Sequence, residues 1–257
     1  MTTISEYRLF NEFRKIRNKG WIKSLRKGST GIGYTLETLL KIPENSFAIP
    51  DFCGIEIKAM RILSKKRIHL FNAEPDGDFL FPHERILEKI GYPSKKNKNY
   101  KVFLSAAYGN EYIKLGYSRK IKVSVNRSQK KLEFLAKDKY GNDIDLNVSW
   151  SFELLQSKLE NKINEMAIIR TDNKYICEEE YFYYRWIEFY KNKGFETFLD
   201  LLDNGIIKVC FKIGVYYSGV KEGKIDNHGT DFSIKEKDIE KLFTKIDIFN
   251  KVDSSLE

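Results

Sequence analysis

The sequence is short of the residues that staple a chain or carry it across a membrane. Its three cysteines, Cys53, Cys177 and Cys210, are odd in number and share no paired spacing, which points to reduced thiols and to neither a disulfide framework nor a zinc site. The three histidines, His69, His83 and His228, are too scattered to suggest a metal cluster. No apolar run approaches the roughly 18 residues that would span a bilayer. The opening Met1-Thr-Thr-Ile-Ser-Glu lacks the apolar core of a signal peptide, so a cytoplasmic location is expected. Internal repeats and low-complexity segments are missing, and no linker clearly divides two domains.

What is present is a globular composition. The 257 residues are 42% hydrophobic, ample for a sizeable core in one large domain or two small ones. Lys and Arg number 45 against 36 Asp and Glu, a net charge of +9 with an isoelectric point near 9.2. Such an excess favours a polyanionic partner, nucleic acid first and an anionic membrane surface second.

One stretch organises the rest: Ala48-Ile-Pro-Asp-Phe-Cys-Gly-Ile-Glu-Ile-Lys58. It reads as a buried strand carrying three charges, Asp51, Glu56 and Lys58. Glu56 and Lys58 are two apart and share one strand face, while Ile55 and Ile57 share the other and pack inward. Asp51 is at an odd separation from Glu56, and a bend at the turn-prone Cys53-Gly54 step lets the two carboxylates converge. Two carboxylates at hard-cation distance form a Mg²⁺ site, and a lysine beside them holds or activates a water and offsets charge building on a phosphate. Glu-x-Lys alone also arises on a solvated edge strand; Pro-Asp upstream and the apolar surroundings bring the nuclease reading level with that one.

Ile4, Tyr7, Leu9, Phe10, Phe13 and Ile16 predict an amphipathic opening helix over 4–18. Trp21 to Gly33 turns basic and then glycine-rich, either an exposed loop or one whose backbone N–H groups approach a phosphate with Lys23, Arg26 and Lys27 adding charge. It lacks the Gly-Lys-Ser/Thr ending of a nucleotide loop. Tyr34 to Lys41 reads as a helix, on which Glu37 is either solvated or a third carboxylate reaching the metal centre. A strand at Arg67–Phe71, a loop and a helix from Pro82 to Ile90 follow, Pro82 standing at the first helical position. Lys95 to Lys98 is a solvated basic turn or a phosphate contact. Period-two alternation from Lys101 to Trp150 predicts an antiparallel meander. A helix capped by Ser151 leads to Ile163, then a strand over Met166–Arg170. Seven aromatic residues between Glu178 and Tyr190 suit core packing better than base stacking. A helix over Phe195–Leu202 and a strand over Ile206–Tyr217 precede a polar loop that concentrates Lys221, Lys224, Asn227, His228, Thr230 and Asp231. That loop is either a plain hairpin or a set of donors with one acceptor suited to base edges. A helix at Lys235–Phe243 and a strand at Ile246–Phe249 close the chain.

Four stretches, in order, resemble the MvaI/BcnI family of type II restriction endonucleases: Arg26 to Glu37, Ile49 to Lys58, Trp150 to Gln156, and Ile213 to Gly219 with His228 to Phe232. The resemblance spans most of the chain. It implies an α+β fold of the restriction-endonuclease, MutH-related type: a mixed sheet flanked by helices in a single chain of residues 1–257, with a catalytic lobe including 20–110 and a recognition lobe including 165–235. It also implies a monomer that cuts one strand of double-stranded DNA and then the other, leaving 5′-phosphates, and a cognate DNA methyltransferase in the same system. Carried onto this sequence, Asp51 and Glu56 are Mg²⁺ ligands, Lys58 the catalytic lysine and Glu37 the supporting acid. His228 and Lys212 match base-reading positions. Where the family leads one to expect an arginine shortly after His-Gly-Thr, this sequence has Ser233, with Asp231 nearby, which alters the base that can be held. The alternatives are a MutH-like repair nickase activated by a partner and a DNA-binding protein that keeps the fold without catalysis.

Overall fold

A computed structural model describes residues 3–43, 50–62, 67–77, 81–116, 119–227 and 229–247. In chain order the elements are α1 (Ile4–Arg17), β1 (Ile22–Lys23), α2 (Gly31–Leu39), β2 (Ile55–Arg61), β3 (Arg67–Asn72), α3 (Pro82–Ile90), β4 (Tyr92–Pro93) and β5 (Lys101–Ala107). Then come β6 (Ile113–Leu115), β7 (Arg119–Asn126), β8 (Lys131–Lys137), β9 (Asp143–Ser151), α4 (Phe152–Ile163), β10 (Glu165–Ile176) and β11 (Glu179–Asn192). The chain ends with α5 (Phe195–Asp203), β12 (Ile207–Val215), β13 (Ile225–Asn227), β14 (Asp231–Lys235), α6 (Ile239–Leu242) and β15 (Phe243–Ile246). The mixed α+β class expected from the sequence is what forms.

The chain divides into two compact units, each built from separated segments. The first comprises 1–66, 160–193 and 243–257. Its sheet runs β1-β11-β10-β2, with β15 added to β11, and is mixed because β2 and β10 are parallel while the other pairs are antiparallel. Helix α1 starts at a capping box: Thr3 Oγ1 accepts from Glu6 N at 3.2 Å and Glu6 Oε2 accepts from Thr3 N at 2.6 Å. Its Leu9, Phe13 and Ile16 meet Ile32 and Leu36 of α2, Ile55 and Ile57 of β2, and Phe182 and Tyr184 of β11 in one apolar cluster. The aromatic stretch is thus a strand that alternates as far as Tyr184, with Phe182 and Tyr184 buried as packing predicts; at the register shift opposite Arg170 and Thr171 the alternation breaks, and Trp186 is 44% exposed.

The second unit comprises 67–159 and 194–242. One sheet runs β3-β14-β12-β5-β4 with β13 on β12, and a separate antiparallel meander runs β6-β7-β8-β9. Phe103, Phe134, Trp150, Phe211 and Phe232 form its aromatic centre, and Trp150 Nε1 donates to Ala73 O at 2.9 Å. Ser151 caps α4 as expected, its Oγ accepting from Leu154 N at 3.1 Å.

Several expected bounds move. Strand β5 leaves the meander and pairs with β12, because alternation records a buried face and not a partner. Strand β10 runs on from Arg170 to Ile176 through a hairpin whose turn residues Cys177 and Glu178 hold φ of 48° and 65°. The terminal helix shortens to a 3₁₀ turn at Glu236–Asp238 and the single turn of α6, and the last strand begins at Phe243; residues beyond 247 lie outside the described ones. Within 20–110, β3 and β5 hydrogen-bond with β14 and β12, and within 165–235, β10 and β11 belong with β2.

Candidate active site

The site is made by a reversal of the chain just ahead of β2. Cys53 and Gly54 hold φ of 47° and 90°, and Phe52 and Ile55 exchange backbone hydrogen bonds of 3.0 and 2.9 Å across them. This is the bend the sequence suggests. It turns Asp51 back along the strand, where Asp51 Oδ2 accepts from Ile57 N at 2.8 Å. Asp51 is thereby fixed by backbone on the same strand that carries Glu56 and Lys58.

Glu56 is not on a solvated face. It is 2% exposed, opposite Met166 on β10. Lys58 Nζ binds Glu56 Oε1, and Lys162 Nζ of α4 stands 3.7 Å from the same oxygen. Burial, reinforced by the negative charge of Asp51, raises the Glu56 pKa above the ordinary carboxylate value, against the pull of Lys58 and Lys162. Glu56 Oε2 has no hydrogen-bond partner. A buried carboxylate oxygen left without one is expensive, and such groups in native proteins call for an explanation. A hard divalent cation is the explanation that fits, since the Asp51 and Glu56 carboxylates would supply oxygen ligands to it.

Glu37 is half-buried on α2, which packs on β2, and its charge helps push the buried Tyr184 phenol upward after the larger effect of burial. Among the described residues no three His, Cys, Asp or Glu side chains gather tightly enough to hold an ion. The basic loop upstream is fastened to the start of α2. Ser24 Oγ donates to Arg26 O at 2.7 Å, and Leu25 N donates to Thr35 Oγ1 at 3.0 Å. Helix α2 therefore begins at Gly31, ahead of the expected Tyr34; a Cβ there would stand 2.3 Å from Arg26 O. Of the three cations in this loop, Lys23 is paired with Glu179 at 2.5 Å and Arg26 lies 3.7 Å over the Tyr34 ring, while Lys27 is exposed.

The other expected contacts are in the second unit. Lys212 is exposed on β12, and Lys221 and Lys224 occupy the turn between β12 and β13, Lys221 lying 5.3 Å over Tyr216. Asn227 Nδ2 meets His83 Nε2 at 3.0 Å, and His83 is paired with Glu74 at 2.5 Å. Asp231 Oδ1 is 3.2 Å from His69 Nε2. Thr230 departs from the expectation: it is 1% exposed, and its carbonyl accepts from Ala73 N at 3.0 Å, so it holds the loop instead of facing a ligand. His228 lies outside the described residues.

Sequence reasoning missed Lys162. Lys162 has no local mark among the lysines of α4 and joins the site only through a contact more than a hundred positions from Glu56.

Comparison with known proteins identifies the family and the fold. The profile of the MvaI/BcnI restriction endonuclease family matches residues 10–243. A solved structure described as a restriction endonuclease MvaI–cognate DNA substrate complex superposes with a TM-score of 0.83 at 28% identity, covering 95% of this chain and 99% of that one. A structure of MvaI in the absence of DNA gives 0.64 at 27% identity, covering 96% and 99%. Among curated protein sequences none matches. With a family match that takes in both units and the whole of the Asp51-to-Lys58 strand, the chain belongs to the MvaI/BcnI restriction endonuclease family.

Proposed function

We propose that this protein is a type II restriction endonuclease that hydrolyses double-stranded DNA at a short specific sequence with Mg²⁺ as its cofactor. The observation that carries the proposal is Glu56, a buried carboxylate with one oxygen held by Lys58 and the other without a partner, beside Asp51. Asp51 and Glu56 would hold the ion, which when bound would polarise the scissile phosphate and lower the pKa of a water. Lys58, tethered to Glu56, keeps its ammonium where the attacking water and the phosphate meet and offsets the charge that builds there. Lys162 holds Glu56 from the other side. In-line attack by water on phosphorus breaks the bond to the 3′-oxygen, which leaves with a proton, and the 5′-phosphate stays on the other fragment.

One Asp51/Glu56/Lys58 set per chain supports a monomer that nicks the strands in turn. The catalytic lobe is the unit with β2 and the recognition lobe the unit with β12 and β14. A cognate methyltransferase protecting the same site in the cytoplasm completes the system.

The test is digestion of a sequenced supercoiled plasmid with and without Mg²⁺, with Lys58→Ala as control. Mg²⁺-dependent nicked circles preceding linear product, discrete ends carrying 5′-phosphate, and a loss of roughly 10²-fold or more in the variant are expected. Tight metal-independent binding with no nicking would instead identify a binding protein without catalysis.

A further inference from the structure

We infer that the loop between β4 and β5 and the turn between β12 and β13 together form a phosphate clamp, a surface of the second unit that grips the backbone of a DNA duplex without reading its bases; the inference rests on the endonuclease reading above. Strands β5 and β12 are antiparallel neighbours, with Phe103 opposite Ile213. The loop entering β5 and the turn leaving β12 are therefore at one end of the sheet. They are also in contact. Ser94 Oγ and the Tyr217 hydroxyl are hydrogen-bonded, Tyr100 OH donates to Glu222 Oε1 at 3.3 Å, and the Tyr100 and Tyr217 rings meet edge-on with 6.1 Å between centroids.

This junction collects charge of one sign. Lys95, Lys96 and Lys98 on the loop and Lys221 and Lys224 on the turn are all exposed, and among the described residues none of the five pairs with a carboxylate. Lys131 and Lys137 of the meander, by contrast, are held by Glu133 and Asp143. The two acids of the same segments are bound to tyrosine hydroxyls, Glu222 to Tyr100 and Asp226 to Tyr216. Five ammoniums gathered with two carboxylates repel one another, and a polyanion laid across them relieves that repulsion.

Two of the lysines are set in place without being neutralised. Lys96 Nζ lies 5.1 Å over the Tyr217 ring and Lys221 Nζ 5.3 Å over the ring of Tyr216 beside it. A ring face orients an ammonium and leaves its full charge for a phosphate. The backbone beneath is braced: Ser94 N donates to Tyr100 O at 2.8 Å, Gly223 N to Tyr216 O at 2.9 Å and Tyr216 N to Lys224 O at 3.0 Å. Lysine is a compact point charge with rotatable donors, and five of them with no arginine in either segment make a charged surface, not a rigid fork for base edges. Lys221 and Lys224 are thereby assigned to the DNA backbone and joined by the loop of Lys95 to Lys98.

The experiment measures equilibrium binding of the full chain to a random-sequence duplex across a salt series, without divalent ions. The parent is compared with Lys95→Gln/Lys98→Gln/Lys224→Gln and with Lys114→Gln/Lys120→Gln/Lys139→Gln, which removes equal charge from exposed lysines of the meander. Melting temperatures, expected to match, separate lost contact from lost folding, and the ends cut from a randomised duplex library report base preference. The clamp variant should lose about 0.9 of log–log slope for each phosphate contact removed, while the meander variant keeps the parental slope and both keep the parental preference at every target position. A parental slope in the clamp variant, or an equal loss in the meander variant, overturns the inference. So does a changed preference at one target position, which would make these lysines base readers, or salt-sensitive binding to anionic phospholipid vesicles and not to duplex. A parent that binds duplex through the clamp but cuts nothing sinks the endonuclease reading alone.

Discussion

Glu56 has one oxygen tied to lysine and one tied to nothing, and the most direct consequence is a thermal one. An ion that binds only the folded chain stabilises it by RT ln(1 + [L]/Kd), about 2.7 kcal/mol at a hundredfold excess over Kd. Mg²⁺ should therefore raise the melting temperature of the parent, and Glu56→Gln should abolish the response; calorimetry with and without the ion measures both. Lys162, the second cation on that carboxylate, makes a different prediction. Lys162→Met should slow cleavage on the order of tenfold, which is about 1.4 kcal/mol, and Lys162→Arg should restore part of it. The melting response to Mg²⁺ should persist in both variants, since Asp51 and Glu56 remain.

Between β10, β11 and β15, Glu188 accepts from Arg170 Nε and Lys245 Nζ, each at 2.7 Å. Burial alone would raise its pKa, but these two hydrogen bonds hold it below the ordinary value of 4.5. A carboxylate depressed in the folded state adds stability above its unfolded pKa and loses it as pH falls through the folded one. Glu188→Gln should thus cost roughly 1–2 kcal/mol near neutral pH, mostly through Arg170 because half-exposed Lys245 is screened. Denaturant titrations should show the gap between parent and variant closing as pH falls below the ordinary glutamate range, where the parent carboxylate also protonates.

Elements such as α1, α3, α4 and β3 were legible because capping residues, an N-terminal proline and clean periodicity all fall within one window of sequence. The Asp51 bend was legible for the same reason, as Cys53-Gly54 is local. The start of α2 was not, because Gly31-Ile32-Gly33 reads as a loop, and the demand for glycine comes from Arg26 O, which only the fold brings there. The departure of β5 from the meander and the contacts of Lys162 and His69 depend on partners far along the chain, which a periodic pattern does not name.

At the scale of the molecule the net charge of +9 governs encounter with a polyanion. Affinity for DNA of any sequence should fall linearly in log–log form with added salt, at about −0.9 per phosphate neutralised, as equilibrium binding across a salt series would show. The segmented build of the first unit has a consequence of another kind. Parallel strands β2 and β10 are separated by the whole stretch from Ile62 to Asn164, so a ribosome making about 5–20 residues per second delivers Asp51 and Glu56 seconds before the strand and lysine that complete their surroundings. Until then β2 has no partner strand, and Glu56 lacks both β10 beside it and Lys162. An unfinished chain that ends before β10 therefore lacks the completed site, and on the endonuclease reading it should not cut.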